Sequence, residues 1–455
     1  MSQTAAVILA AGLGKRMRSD LPKVLHRVAG RPMLQYVIDA AHDAGIGRIV
    51  VVLGHAGEQV RAVLDSHVET VIQTEQRGTA DAVLTARPLL HADPSCQDVL
   101  IANGDCPLLT STLFQTLIAE RRRHGAAIAM AVSSLPDPTG YGRILRDESG
   151  RVAGVIEEAA ASEVERAIRE VNAGVYCIEA RWLWERLPSV PRSASGEYYL
   201  TDVVGLAVAD ERLVRVVEAS PETTSGVNDR VQLAVAERHL RDRIRHALMI
   251  SGVTILDPPT TYVDSTARID RDTILYPGTI IEGTTVISTG CVIGPYSRIV
   301  DSQLSANVVV NASVVEQSTV AAGVRIGPFS HLRPGARIES GAVIGNYAEI
   351  KNSHIGPATQ MHHFSYVGDA EVGRGVNVGA GTITCNFDSE SGDKNRTIVG
   401  AGASLGCDTM LVAPVTVGER AMTGAGSVVN RDVESETVVV GVPARPFRRR
   451  RAPPS

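Results

Sequence analysis

From Arg325 to Ile350 the chain reads RIGPFSHLRPGARIESGAVIGNYAEI, with Ile326, Leu332, Ile338, Ile344 and Ile350 spaced by six. Neither an α-helix, at about 3.6 residues per turn, nor a simple strand, at about two, produces that spacing. The pattern is the hexapeptide repeat of a parallel β-helix, in which one aliphatic residue per flat face points inward and small residues turn the corners. Toward the N-terminus the same spacing runs through Ile269, Leu275, Ile281, Ile287, Ile293 and Ile299, then Val308, Val314 and Val320. Toward the C-terminus it is broken, passing through Ile355, Met361 and Val367 and resuming at Val399, Leu405, Leu411 and Val417. With three hexads per coil, residues 269–418 are expected to form about eight coils. Most of these residues build only the rod. The interruptions, His362-His363, Tyr366 and the insertion Asn386 to Arg396, are where a solenoid carries function.

Upstream the period is different. To about residue 225, short aliphatic runs such as Val7-Ile8-Leu9, Ile49 to Leu53 and Val99 to Ile101 alternate with amphipathic stretches such as Leu34 to Ala44. That alternation predicts an α/β domain with a Rossmann-like, mostly parallel sheet covered by helices. Between Asn228 and Ile250 the chain is charged, with Leu240, Ile244 and Leu248 on one stripe, and reads as a connecting helix. The expected organisation is an α/β domain over 1–227, a linker helix over 228–251, a β-helix over 252–447, and a basic flexible tail over 448–455 that contains Arg448 to Arg451.

The 455 residues exceed one ordinary core. A hydrophobic fraction of 44% with 21% charged residues reads as soluble and globular, and 4% aromatics against 42 glycines suits repetitive, tightly turned backbone. The net charge of −5 carries no basic bias, which argues against nucleic acid as the main partner. Cys96, Cys106, Cys177, Cys291, Cys385 and Cys407 form no CxxC pair, so they read as reduced thiols rather than a zinc cluster or disulfide framework. The apolar stretch Ala5 to Ala11 precedes Lys15 and Arg16, the reverse of a signal peptide's order, and no run is long enough to span a membrane. A cytoplasmic location without membrane insertion is expected.

LAAGLGKRM, Leu9 to Met17, places a strand end, a small-residue turn and two cations in sequence. Glycines let backbone N–H groups approach phosphate oxygens, and cations offset their charge. The loop lacks the third glycine and the following acid of a dinucleotide fingerprint, and it is not GxxxxGK[ST], so hydride transfer and P-loop hydrolysis both lose ground. In Asp20-Leu21-Pro22-Lys23 the proline restrains the backbone before a cation, and Arg16 and Lys23 are placed to hold a leaving pyrophosphate. Asn103-Gly104-Asp105 closes the strand Val99 to Ile101. A carboxylate at that edge of a parallel sheet is placed to hold Mg2+ against phosphates, although Asp105 also suits a turn.

The order LAAGLGKRM, DLPKVLH, Gln73 with Gly78-Thr79, GDCPL, GYGRI, Glu157, EVNAG, GEYYLTD and GVNDR, followed by hexapeptides, closely resembles the bifunctional N-acetylglucosamine-1-phosphate uridyltransferases / glucosamine-1-phosphate N-acetyltransferases. HLRPGA, YVGDAEVG, NVGAGTITCNFD and LVAPVTVG resemble the acetyltransferase half specifically. The resemblance implies a left-handed β-helix, and attack of a sugar phosphate's oxygen on the α-phosphorus of UTP with release of pyrophosphate. It assigns Mg2+ to Asp105 and Asn228, and the phosphate-side cations to Arg16 and Lys23. Leu9, Ala10, Ala11, Gly12, Gln73, Gly78 and Thr79 match the nucleotide contacts, with Asn103 beside them. Gly142, Glu157 and Asn172 match the sugar contacts. The product, UDP-N-acetylglucosamine, is a precursor of peptidoglycan and lipopolysaccharide.

Acetyl transfer to an amine needs a base for the ammonium proton, whose pKa should lie near about 8 by analogy with an α-amino group. His363 matches the family's base. Its neighbour His362 is a rival by composition alone. Arg333 and Lys351 match the ligands of glucosamine 1-phosphate, Tyr366 and Asn377 complete that site, and Ala380, Asn386, Phe387, Cys407 and Ala425 occupy the acetyl-CoA positions. The resemblance also implies a homotrimer with acetyl sites between neighbouring rods. Several positions depart from the pattern. Ala80-Asp81, Asn103, Glu158-Ala159 and Ala173 differ near the first site, and Phe387, Cys407 and Gly441 near the second, where Arg445 is a substitute cation for CoA. The leading expectation is therefore acetylation of glucosamine 1-phosphate in the β-helix, then uridylylation of N-acetylglucosamine 1-phosphate in the α/β domain. The alternatives are a monofunctional sugar-phosphate nucleotidyltransferase whose β-helix serves assembly or regulation, which allows no CoA turnover, and a sugar-nucleotide-binding subunit without activity.

Overall fold

A computed structural model describes residues 3–12, 14–54, 57–194 and 196–450. Leu13 of the glycine loop and Arg451 of the basic tail lie outside the described residues. The chain divides into two compact units, 1–240 and 241–455, and the division falls within one helix, Arg230–Ile250.

In the first unit a sheet is ordered Val214–Glu218, Ile128–Ser134, Glu170–Glu179, Asp98–Asn103, Thr4–Ala10, Arg48–Leu53, Glu69–Ile72, with Arg143–Arg146 and Val152–Ile156 attached at one side. Every neighbour along that path is parallel except Glu170–Glu179, which runs antiparallel to both of its partners. The central strands are apolar throughout because both faces are covered. Val7, Val50, Val52, Val99 and Ile101 pack on one side with Val83, Leu183, Trp184 and Val203. The alternating residues Ala6, Ile8, Ile49, Val51 and Leu100 pack on the other with Leu34, Val37, Ile38, Phe114 and Leu117. Thr4–Ala10 and Asp98–Asn103 thus lie side by side at the centre, and the glycine loop and Asp105 emerge from the same edge.

In the second unit successive short strands pass in turn to three sheets of twelve, ten and nine strands. Each strand pairs in parallel with the one a coil later, as in Ile326↔Ile344, Leu332↔Ile350 and Ile338↔Ile355. This is consistent with the left-handed parallel β-helix of hexapeptide repeats. The inward column is mostly apolar, with Thr384 and Thr423 the inward residues of their strands, and Thr279, Thr285, Ser318, Ser353 and Thr409 close the corners by donating their hydroxyls to nearby carbonyls. Ile244 and Leu248 of the helix pack against this core.

Two expectations change. The spacing of six places Val314 inward, but Arg298 pairs with Val314 and Ile299 with Val315, so Val315 is buried and Val314 faces outward. The inward residues there run Ile299, Leu304, Val310, Val315, Val320 because several of these coil faces are one residue shorter, and the period slips at the corners. The basic tail is not free over its described part. Arg445–Arg449 forms a strand antiparallel to Thr437–Val440, and the Arg450 N–H donates to the Glu436 carbonyl at 2.7 Å. This strand covers the edge that the last parallel strand of the twelve-stranded sheet would otherwise expose.

Candidate functional site

In the first unit the turn after Thr4–Ala10 is shaped by Gly14, whose φ is +58°, and a Cβ there would lie 2.8 Å from Lys23 Cβ. Glycine thereby lets Lys23 cross the loop. Its ammonium forms a short ion pair with Asp105 and donates to Asn228 Oδ1 at 3.2 Å, joining residues 82 and 205 positions away. The chain brings these together through backbone bonds: Gly104 N–H to the Leu9 carbonyl at 2.9 Å, and Val227 N–H to the Asp105 carbonyl at 2.9 Å. The Asn228 N–H is held by Gln232 Oε1 at 2.7 Å at the start of the long helix.

Beside Lys23 and Asp105, with Asn228 outside its lining, lies a cleft of about 270 Å³ whose walls include ten sequence candidates: Leu9, Ala10, Ala11, Gly12, Lys23, Gln73, Gly78, Thr79, Asn103 and Asp105. Gln73 is buried and donates to Asp81 Oδ2 at 2.8 Å and to the Gly78 carbonyl at 3.1 Å. The departure Asp81 thus fixes a cleft residue. Thr79 Oγ1 accepts from Leu200 N–H at 2.9 Å, which ties the wall to the segment that carries Glu197 and Tyr199. Glu197, Tyr199 and Gln76 also line the cleft. Sequence reading missed all three as site residues, although GEYYLTD was noted as a motif.

Gly142, Glu157 and Asn172 form a second cluster joined to that cleft. The Asn172 N–H donates to the Gly142 carbonyl at 2.8 Å, and Asn172 Oδ1 accepts from Gly174 N–H at 3.0 Å. A Cβ at Gly174 would lie 2.7 Å from Asn103 Nδ2. Glu157 Oε1 accepts from Thr201 Oγ1 at 2.7 Å, two residues beyond Tyr199. Burial, and then the Glu157 charge, push the Asp202 carboxyl above its usual value. Arg16 is exposed and lies outside the cleft's lining.

In the second unit Arg333, Lys351 and Tyr366 stand on successive coils of the ten-stranded sheet, with Glu349 paired to Tyr366 and bonded to Arg333 at 2.8 Å. The insertion folds back as a hairpin, with Phe387 bridged to Lys394 and the Asn395 N–H donating to the Asn386 carbonyl at 2.7 Å. That return brings Lys394 beside Lys351. The neighbouring ammonium, ahead of burial and of Arg333, pushes Lys351 below the usual lysine value, with Asp369 opposing. Lys394 is the cation that sequence reading missed. Its only signal was its place inside an insertion already singled out.

Asp369 gathers the set: it accepts from Asn386 Nδ2 at 2.5 Å and Asn352 Nδ2 at 2.6 Å. A Cβ at Gly368 would lie 2.4 Å from the Tyr366 hydroxyl and 2.9 Å from Asn386 Nδ2, so glycine is what lets these two groups approach. His363 is exposed at the corner just before the strand Ser365–Gly368, its ring edge-on to His362 at 6.4 Å. The same corner continues down the rod through the candidates Ala380, Cys407 and Ala425. Gly381 N–H donates to the Phe364 carbonyl, Asp408 N–H to that of Ala380, and Gly426 N–H to that of Cys407. Asn377 lies in the twelve-stranded sheet, not on the face that carries Tyr366. Phe387 is 61% exposed on the hairpin.

Residues 6–173 match the family model of the MobA-like NTP transferase domain, and residues 317–352 match that of bacterial transferase hexapeptide repeats. Over nearly its whole length the chain is similar to proteins described as bifunctional protein GlmU. It is 46% identical to the one from Brevibacillus brevis over 97% of this chain and 95% of that protein. It is 46% identical to that of Heliobacterium modesticaldum over 97% and 96%, and 44% identical to that of Trichlorobacter lovleyi over 97% and 96%.

Proposed function

We infer the activity from one premise: the chain belongs to the family of bifunctional GlmU proteins. It is an enzyme of two activities that makes UDP-N-acetylglucosamine in two steps, acetyl transfer from acetyl-CoA to glucosamine 1-phosphate and then uridylyl transfer from UTP with release of pyrophosphate. The observation that carries this reading is a match that takes in both units at once, over 97% of the chain.

For the first site, we read the cleft beside Lys23 as the seat of UTP and the cluster of Gly142, Glu157 and Asn172 as that of the sugar phosphate. Phosphoryl transfer of this kind needs positioning and charge neutralisation rather than covalent help. Mg2+ fits the donor set. A carboxylate and an amide oxygen already converge on one ammonium, and both are hard oxygen donors. Among the described residues no group of three or more His, Cys, Asp and Glu side chains gathers, so phosphates and water would supply the other ligands. Bound there, Mg2+ would neutralise developing phosphate charge, with Asp105 and Asn228 holding it and Lys23 and Arg16 on the phosphate side.

For the second site, Arg333, Lys351 and Lys394 suit the dianion of glucosamine 1-phosphate, which would relieve the repulsion between the two lysines. His363 is the base for the ammonium proton, Tyr366 and Asn386 complete the sugar and acetyl contacts, with Asn377, which lies on another face of the rod, contributed from a neighbouring copy, and acetyl-CoA follows the corner of Ala380, Cys407 and Ala425. We propose a homotrimer. Tyr296, Phe329, Tyr347 and Phe364 recur on nearby coils at exposures of 56–76%, with Phe329 stacked on Tyr347 at 5.2 Å, an aromatic edge that suits coverage by another copy. Among the described residues no helix is long and apolar enough to cross a membrane. The cytoplasm, where UTP and acetyl-CoA are found, is the proposed location.

The test is a pair of variants in the full chain. His363→Ala should abolish acetyl transfer while pyrophosphate release from UTP and N-acetylglucosamine 1-phosphate persists. Asp105→Ala should do the reverse, and chelation of Mg2+ should stop only the second activity. Loss of both activities in either variant contradicts separate sites.

A further inference from the structure

Glu157 and Glu158 are adjacent, and the fold sends them to different tasks. They follow the strand Val152–Ile156, which pairs antiparallel with Arg143–Arg146 so that Ile156 stands opposite Arg143. Glu157 lies against the sugar-side turn: a Cβ on Gly142 would sit 3.5 Å from both of its carboxylate oxygens. Glu158 instead reaches Arg143, whose side chain is 1% exposed, and accepts from its Nη2 at 2.6 Å. The same oxygen, Oε2, accepts from the Gly140 N–H at 3.3 Å.

Arg143 spends its other donors on the backbone. Nη1 forms a short bond to the Tyr141 carbonyl, and Nε and Nη2 approach the Arg166 carbonyl at 3.4 Å. Among the described residues Glu158 is the one carboxylate in hydrogen-bond reach of this buried guanidinium. The Arg143 hydrogen bond is the main reason the Glu158 carboxyl is held below the usual range. Glu158 and Arg143 therefore hold the Gly140 N–H and the Tyr141 carbonyl of the turn Gly140-Tyr141-Gly142, and the Gly142 carbonyl is fixed from the far side by the Asn172 N–H. A buried charge that loses its partner is strongly destabilised, so the clamp depends on the carboxylate as well as on the arginine.

We propose that Glu158 is a positioning residue of the uridylyl site, which through Arg143 fixes the Gly140–Gly142 turn against Glu157 and so sets affinity for the sugar phosphate. The inference rests on the reading that Gly142 and Glu157 face that substrate. In the full chain, Glu158→Ala is expected to raise KM for N-acetylglucosamine 1-phosphate about tenfold while kcat and KM for UTP stay within about twofold. Glu158→Gln, which keeps an acceptor oxygen without the charge, should fall between. If Glu158→Ala fails to fold, the double variant Arg143→Met/Glu158→Ala removes the orphaned charge and should show the same rise in KM. An unchanged KM in a folded variant, or an equal change in KM for UTP or in kcat, overturns the proposal. If the wild type does not turn over this sugar phosphate, the functional reading fails by itself. The clamp is then judged by amide hydrogen exchange over residues 139–143, which Glu158→Ala should accelerate at least about tenfold; unchanged exchange would overturn it.

Discussion

Burial disfavours the ionised form of Asp369, yet the amides of Asn352 and Asn386 and the ammonium groups of Lys351 and Lys394 hold its carboxyl below the usual range. A depressed value means that the unfolded chain binds the proton more readily than the fold does. The contribution is therefore present above the unfolded value of 3.8 and is lost as pH falls through the folded one. Asp369→Ala should cost the β-helix about 2 kcal/mol near neutral pH. In urea titrations the deficit should shrink as the pH is lowered through the carboxylate range, and a deficit independent of pH would show that the carboxylate's charge is not involved. The residue types at this scale were legible as an exposed histidine and two cations on the rod and a carboxylate in the cleft. Lys394 was not, because its role comes from a hairpin that returns to a coil 43 residues earlier, as the interaction with Lys351 shows. Glu158 was legible only as a departure from a pattern, since its partner Arg143 belongs to another strand.

The hexapeptide coil carries a different kind of information. Its period predicted the inward residues from Ile326 to Ile350 because identical faces repeat there without change, and all five are at most 2% exposed. The same period placed Val314 inward, where shorter coil faces move the register by one residue and Val315 takes the core position. In a sheet such a slip exchanges the two faces, and local spacing cannot reveal it without knowing which residue stacks on which. Val315→Asp should bury an unpaired carboxylate and unfold the neighbouring coils, whereas Val314→Asp should change stability by no more than about 0.5 kcal/mol. Thermal melts of the two variants decide. Similar melting of both would restore the uninterrupted period of six. Arg448 to Arg451 reads as a basic tail because four arginines suggest solvation, whereas Arg448 and Arg449 end the strand Arg445–Arg449, whose pairing edge belongs to a different part of the coil.

One cleft, with Lys23 in its wall, forms at the edge of the mostly parallel sheet and a group of cations forms on the rod, each built from residues of its own unit. The first brings Lys23, Asp105 and Asn228 together, and the second Arg333, Lys351 and Lys394. If each unit performs its own step, the intermediate released by one molecule can serve another. The most direct measurement mixes His363→Ala with Asp105→Ala and supplies glucosamine 1-phosphate, acetyl-CoA, UTP and Mg2+, with products identified by mass. Separately, neither variant should form UDP-N-acetylglucosamine, though Asp105→Ala should accumulate N-acetylglucosamine 1-phosphate; together they should restore the final product. A mixture that yields none, while the wild type does, would contradict two independent sites in one chain.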